Sequence, residues 1–275
     1  MSKNSITEYR PVSLAEYVDI VEDVGSKSGG ELWYRGCSRL DHALLPSLYR
    51  GQQNPDAHSS SLSELESGLV SRFLDRSLPY RERELKPDLR TLFFMQHYGI
   101  PTRLLDWTEN PFVGLFFALR GAGFEPKANG RPKFTNEVAV WILDPSVWNQ
   151  TALSENSYIG GPLDPNHSEL KSYVQIGDID NSRASPVAIF GAHNSQRIVA
   201  QQGTFVIFGS KNIPMEQLYR EGGFPQNALV RVVITKSRID HFRRTIFSHG
   251  ITEGSIFPDL EGLGRDLRRL YGFDI

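Results

Sequence analysis

The stretch TLFFMQHYGIPTRLLDWTENPFVGLFFAL, residues 91–119, constrains this chain more than any other. It reads as a buried helix, a Gly stop, a short strand carrying Arg, Asp and Trp, and a second buried helix opened by Asn-Pro. The first helix begins near Pro87 and ends at Gly99, since proline suits a first helical turn and glycine the residue after the last. Ile100 precedes Pro101, whose ring biases it to extended backbone, so Thr102 to Trp107 read as a strand. Asn110 can cap the next helix, with Pro111 as its first residue. Apolar segments on both sides thus hold His97, Arg103, Asp106 and Trp107 close together. A stable core has no need of ionisable groups there, so a function is sought there first.

The chain has 275 residues, 39% hydrophobic and 23% charged. That is one large domain or two small ones, with enough apolar surface to bury a core without staples. A formal net charge of −2 excludes a global basic field that would draw the chain onto nucleic acid or an anionic membrane. Cys37 is the one cysteine, so no disulfide forms within the chain. The seven His show no metal-ligand spacing, and no metal site is expected. The longest apolar run, Pro111 to Leu119, is too short to span a bilayer. MSKNSITEYR lacks the apolar segment of a secretory signal. The expectation is a cytoplasmic protein with no membrane partner.

Residues 1–10 read as a polar arm. Ser13 with Glu16 forms a capping box, Val12 can staple the first turn, and Leu14, Tyr17, Val18 and Val21 follow helical spacing. SKSGG ends that helix, and ELWYRG is a short strand running into a Gly turn. A polar loop at 51–61 precedes helical spacing over 62–78. Residues 120–136 read as a loop, and 137–143 as a strand stopped by Asp144-Pro145. A loop-rich insertion is expected at about 144–185. Strands follow at 186–190, 196–201, 204–209 and 229–234, then a helix carrying Ile239, Phe242 and Ile246, and a last helix through Leu263, Leu267 and Leu270. Helices dominate the first half and strands the second, which argues α+β. The expected division is an arm and helix at 1–30 and a main domain at 31–275.

Tyr34-Arg35-Gly36 closes the first strand. An Arg beside a Gly that lets backbone approach a ligand suits a phosphate or carboxylate clamp, because guanidinium offers a planar fork; an ion pair at the sheet edge is the plain alternative. Strand alternation puts Arg103, Leu105 and Trp107 on one face and Leu104 and Asp106 on the other. Asp106 reads equally as a cap or an Arg partner, and Trp107 as core or as a stacking platform. His97, in a last helical turn, suits the helix dipole. No His is placed by sequence to activate Cys37, which reads as an inert buried thiol. Asn194, Gln196, Arg197, Gln201 and Gln202 flank Ile198-Val199-Ala200, and a buried strand with such a polar face needs partners for those groups. Glu253 lies beside a Gly-rich turn, either as a surface group or as an acid or base.

Four blocks, LWYRG, QHYGIPTRLLDWTENPFVGLFFA, NSQRIVAQQGTF and GITEGSIFPDLEGL, resemble the FRG domain, a bacterial family named for its Phe/Tyr-Arg-Gly motif; they span residues 32–263. A fainter resemblance links the chain to ADP-ribosyltransferases. Tyr-Arg-Gly looks like their NAD-phosphate-binding strand, Thr108 and the following PFVGLFFA look like their Ser-Thr-Ser strand running into a helix, and IVAQQGTFVIF looks like the place of their catalytic Glu. The resemblance implies an α+β fold in a single domain, with a bent, split mixed sheet, surrounding helices and NAD in the cleft. It assigns Tyr34, Arg35, Gly36, Arg103, Trp107, Thr108 and Gln201 to NAD binding, with Tyr98 as a second stacking candidate. Where that family carries Glu, this chain has Gln196-Arg197. Either Asp106 or Glu253 supplies the carboxylate, with Arg197 assisting, or the site binds without turnover. The implied role is an NAD-using toxin of phage defence or a toxin–antitoxin module. Its target would be a nucleic acid or protein, and its partner an antitoxin or defence component. A non-catalytic module for a phosphate-bearing ligand is the alternative.

Overall fold

A computed structural model of the chain describes residues 4–51, 61–81, 84–126, 132–191 and 195–273. Most of the expected polar loop at 51–61, and Asn194, lie outside them.

The elements run β1 (Thr7–Tyr9), α1 (Leu14–Lys27), β2 (Trp33–Cys37), α2 (Leu62–Arg76), α3 (Leu89–His97), β3 (Leu104–Thr108) and α4 (Pro111–Arg120). There follow β4 (Phe124–Pro126), β5 (Pro132–Phe134), β6 (Val138–Leu143), α5 (Pro145–Ala152), β7 (Val187–Phe190), α6 (Gln196–Gln201) and β8 (Gly203–Ile207). The last are α7 (Met215–Glu221), β9 (Leu229–Ile234), α8 (Ile239–Ser248), α9 (Glu253–Ile256) and α10 (Leu260–Leu270).

Seven strands form one mixed sheet in the order β1-β9-β6-β2-β3-β8-β7, giving the expected single α+β domain. The sheet is nearly two. β2 pairs with β6 along five positions and β3 with β8 along five, whereas β2 and β3 meet only at Tyr34 and Thr108. Each half keeps a core of its own. On one half, α1, α4 and α8 cover Tyr34, Val140, Ile142 and Val232. On the other, α2 and α3 cover Leu104, Val187, Phe205 and Ile207. The reverse faces share a third core, where Trp33 and Trp141 of the first half join Leu105, Trp107 and Val206 of the second. Burying apolar area on both sides of each half, at about 25 cal/mol per Å², fixes how the halves lie.

Local signals placed the central elements well. Asn110 Oδ1 accepts from Phe112 N at 2.9 Å, with Pro111 as first helical residue, and Gly99 takes the left-handed φ of +73° after α3. The N-cap of α3 is Asp88, one residue past the expected Pro87 start.

Four expectations need correction. The N-terminal arm is not free, because β1 pairs in parallel with β9. The loop at 120–136 contains the β4–β5 ribbon. The insertion at 144–185 opens with α5, capped by Asp144, whose Trp148 is fully buried. Residues 196–201 are helix, not strand. Ser195 Oγ accepts from Ile198 N at 3.2 Å, and Gln202 ends the helix in the left-handed region at φ 45°. A cap and a left-handed stop override the β-branched pair Ile198-Val199. Val199 is turned out to solvent, while Arg197 and Gln201, four apart, share a face.

Candidate functional site: a basic cleft where the sheet splits

β2 and β3 part immediately past their one shared position, and a cleft of about 300 Å³ opens in the gap. β2 sends Arg35 and Cys37 into it, and β3 sends Asp106, Trp107 and Thr108. The last turn of α3 adds Gln96, α6 adds Arg197 and Gln201, and the loop after β2 adds Ser38, His42 and Arg50. A smaller recess of about 60 Å³ adjoins it, sharing Gln96, Asp106, Trp107, Arg197 and Gln201 and adding His97 and Thr204.

Strand alternation explains the Tyr-Arg-Gly motif. Arg35 faces the cleft, and its neighbours turn the other way, onto α4. A Cβ on Gly36 would overlap the backbone of Gly114 and Ala118, and one on Gly114 would lie 2.8 Å from Tyr34 Cβ. Gly36 therefore serves the close approach of α4 to β2, not the approach of a ligand to the backbone. Tyr34 is buried against that helix, and burial pushes its hydroxyl up to about 12. Tyr34 and Gly36 border the cleft but are explained by packing.

Arg35 spans the split. Its Nη1 donates to the Asp106 carbonyl at 2.5 Å and lies 3.8 Å from Asp106 Oδ2. Gln96 holds the same carboxylate, donating from Nε2 to Oδ2 at 2.8 Å, and is itself oriented by Thr102 Oγ1 at 2.6 Å. Thr108 Oγ1 donates to the Gln201 carbonyl at 2.6 Å, fastening α6 to β3, while Gln201 Nε2 donates to the Ile256 carbonyl at 3.2 Å.

Arg197 stands with its guanidinium 4.8 Å from the Phe257 ring and its Nη1 3.5 Å from the His97 carbonyl. Burial lowers its pKa, with Asp106 pulling the other way. Burial first, then the Arg197 charge, lowers His97. Burial raises the Cys37 thiol, so it stays protonated and is a poor nucleophile. Three guanidinium groups therefore face one carboxylate across the cleft. Among the side chains lining it and its recess, Arg35 Nε, Trp107 Nε1 and Thr204 Oγ1 are buried without a hydrogen-bond partner. A buried donor left unpaired costs about 1–3 kcal/mol, and an acceptor-rich ligand would recover it.

Arg103 is elsewhere, a correction to its expected place beside Arg35. It is fully buried, with Nε donating to Glu66 Oε1 at 2.6 Å, Nη2 to Glu66 Oε2, and Nη1 to the Tyr173 carbonyl at 2.9 Å. Glu66 also accepts from Gly177 N at 2.8 Å. The pair ties α2 and the 173–177 segment to the start of β3. Glu253 also lies outside the cleft lining. It begins α9 and accepts from Arg120 Nε at 2.8 Å and Arg265 Nη1 at 3.4 Å. Those two guanidinium groups stack with Arg197 around Phe257. Tyr98 is 63% exposed beyond the cleft, edge-on to Phe94 and His97.

Sequence reasoning missed His42, Arg50 and Gln96. Arg50 ends a short 3-10 turn, Ser47–Arg50, and is the residue of that turn that lines the cleft. Gln96 stands beside His97, and only the return of β3 past α3 reveals that it holds Asp106.

The fold and the site together define a single α+β domain whose sheet splits around a basic cleft. Residues 30–125 match the family model of the FRG domain, and the chain is an FRG-domain protein. The match takes in Arg35, Arg50, Gln96 and Asp106; Arg197 and Gln201 lie beyond it. No curated protein and no solved structure matches the chain. Among the described residues, no group of three or more His, Cys, Asp or Glu is placed to hold a metal, and no helix is long and apolar enough to cross a membrane.

Proposed function

We propose that the cleft binds the diphosphate of an NAD-class nucleotide and that the chain is an ADP-ribosyltransferase-like effector, transferring the ADP-ribosyl group to a nucleic acid or protein as nicotinamide leaves. One observation carries the reading: Arg35 stands in the split with its Nε buried and unpaired, in a cleft where three guanidinium groups face one carboxylate. A diphosphate supplies acceptors to that nitrogen and charge to the guanidinium set. A cleft of about 300 Å³ lies at the lower end of small-molecule pockets, room for a diphosphate and one nucleoside. Asp106 is the carboxylate placed to face the positive charge that grows on the ribosyl carbon as nicotinamide departs. Arg35 and Arg197 clamp, and Trp107 offers its indole edge. The settings suggested by the FRG resemblance are phage defence and toxin–antitoxin modules, with an antitoxin as partner and the cytoplasm as the compartment.

The test is nicotinamide release and label transfer from NAD in a cell lysate, with binding measured alongside. Asp106→Asn should stop turnover and keep binding; Arg35→Ala should weaken NAD binding about 10–100-fold, with turnover and toxicity falling with it. A folded Arg35→Ala chain that still binds and turns over NAD at the parent rate would overturn the assignment. A second reading rests on Asp106 itself. Its Oδ2 already accepts from Gln96 at 2.8 Å, an arrangement suited to a module that binds a phosphate-bearing ligand without cleaving it. Binding with no nicotinamide release, in parent and Asp106→Asn alike, selects that reading.

A further inference from the structure

Three guanidinium groups gather on one ring outside the cleft lining. Arg120, Arg197 and Arg265 stand 4.8, 4.8 and 5.9 Å from the centroid of Phe257. Two of the three are neutralised. Glu253 accepts from Arg120 Nε at 2.8 Å with one carboxylate oxygen and from Arg265 Nη1 at 3.4 Å with the other. Arg265 also donates to Glu261 at 2.5 Å. Arg197 is the exception. Among the described residues its hydrogen bond runs to the His97 carbonyl, at 3.5 Å, and Asp106 and Asp259 act on it through space only. Of the three, it is also the one that lines the cleft.

The manner of holding decides what the side chain can still do. An arginine fixed by a carboxylate gives up its charge and one edge of its fork to that partner. One fixed over an aromatic face is drawn by the ring's quadrupole and keeps both, since the ring carries no net charge. Phe257 thus holds Arg197 in place and leaves it positive. A phosphate entering the cleft meets donors that need not first break an ion pair.

The ring itself is braced. It is buried, and it lies edge-on at 6.0 Å to Phe117, which lines the cleft. Phe257 N donates to the Glu253 carbonyl at 2.8 Å, and Gly262 packs so closely that a Cβ there would overlap the Phe257 carbonyl. α10 docks by its polar side, its leucines turned out to solvent. Asp266 Oδ2 accepts from Thr252 Oγ1 at 2.6 Å and Gly254 N at 2.9 Å, which fastens α9. Beside the ring, Gln201 Nε2 reaches the Ile256 carbonyl, so α6 is tied to this segment by both Gln201 and Arg197.

We infer that Phe257 is a positioning residue for the cleft: its ring, carried on the α9–α10 unit, sets Arg197 as an unneutralised seat for phosphate. The inference rests on reading the cleft as a phosphate site, and not on turnover. It also gives Glu253 a part, as the counter-charge that lets Arg120 and Arg265 share the ring with Arg197.

The experiment is a double-mutant cycle read by calorimetric titration with two probes, inorganic pyrophosphate and NAD. Phe257→Leu keeps an apolar side chain and removes the aromatic face. It should weaken both probes about 10-fold, the size of a partly desolvated cation–π contact. In an Arg197→Gln background the same change should do nothing more, whereas in an Arg35→Ala background it should again weaken binding about 10-fold. Phe257→Tyr, which keeps the face, should recover most of the loss. A packing role alone would make Phe257→Leu act equally in every background. Where Phe257→Leu fails to fold, NMR of the parent gives the answer. The Arg197 Nε–H should be shifted by the ring current of Phe257, and should move again as pyrophosphate is added.

A folded Phe257→Leu chain that binds pyrophosphate as tightly as the parent overturns the inference. So does a full loss on top of Arg197→Gln, or an Arg197 Nε–H that pyrophosphate leaves unmoved. A parent that binds pyrophosphate but not NAD defeats the nucleotide reading and leaves this one standing; a parent that binds neither defeats both.

Discussion

Arg35 Nη1 donates to the Asp106 carbonyl at 2.5 Å, across the gap where the ladder between their strands has ended. A side chain there replaces a backbone rung and also turns its remaining nitrogens toward the cleft. Arg35→Ala should lower stability by about 1 kcal/mol, a typical hydrogen bond, and weaken a phosphate-bearing ligand about 10–100-fold, as for a charged bond of about 1.5–3 kcal/mol. Arg35→Lys should regain part of the affinity by charge without the bidentate fork. Calorimetric titration with NAD and thermal melts read the two effects separately.

The buried pair has the opposite profile. Arg103 and Glu66 are 0% and 2% exposed, so removing either partner strands the other. Glu66→Ala should cost about 3–5 kcal/mol, as found when buried pairs are broken, and should leave ligand affinity unchanged in whatever fraction remains folded. Urea denaturation of parent and variant gives the difference. A cost under 1 kcal/mol would mean that the pair is not buried in solution.

Gly36→Ala separates packing from ligand approach. The added methyl meets helix backbone, which cannot swing aside. A loss of about 1–3 kcal/mol is expected from overpacking, visible as a lower melting midpoint. Were the glycine there for a ligand instead, stability would hold and only binding would suffer.

Two cleft histidines set a pH dependence. Burial, followed for His97 by the Arg197 charge, holds His97 and His42 below the usual imidazole range. The unfolded chain then takes up protons that the folded chain refuses, so stability is full above the ordinary His range and falls as pH drops from there toward the lowered folded values. His97→Gln should flatten that fall in melts across mildly acidic pH. A bound phosphate works against part of that shift at His42, where the charges of Arg39, Arg50 and Arg35 add to burial. Cancelling their charge raises its pKa, so binding takes up protons and tightens as pH falls. Titrations in two buffers of different ionisation heat would show the uptake, and His42→Gln would remove it.

The centre of the molecule was legible because its signals are local. Asn110-Pro111, Gly99 and the Ile100-Pro101 step fix helix ends and a strand within a few residues. Arg35, Asp106, Thr108 and Arg197 were named from sequence, and all four line one cleft. What failed depended on contacts distant along the chain. Arg103 looked like a site residue until Glu66, 37 positions earlier, took the Nε–Nη2 edge of its guanidinium and the Tyr173 carbonyl its Nη1. Gly36 looked like a ligand's glycine until Gly114 and Ala118 filled the space opposite it. Residues 196–201 carried a β-branched pair that spoke louder than the serine cap before it. The leucines of α10 announced an amphipathic helix, but periodicity alone does not say which side faces inward.

The single Tyr34–Thr108 rung bears on where this protein could be cut. The stretch shared with the FRG family, 30–125, contains both strands that flank the cleft, but β6, which zips β2, and β8, which zips β3, lie past its end. Excised alone, that piece would carry two raw sheet margins open to any passing strand. The segment that evolution labels and the segment that can stand by itself in water have different borders.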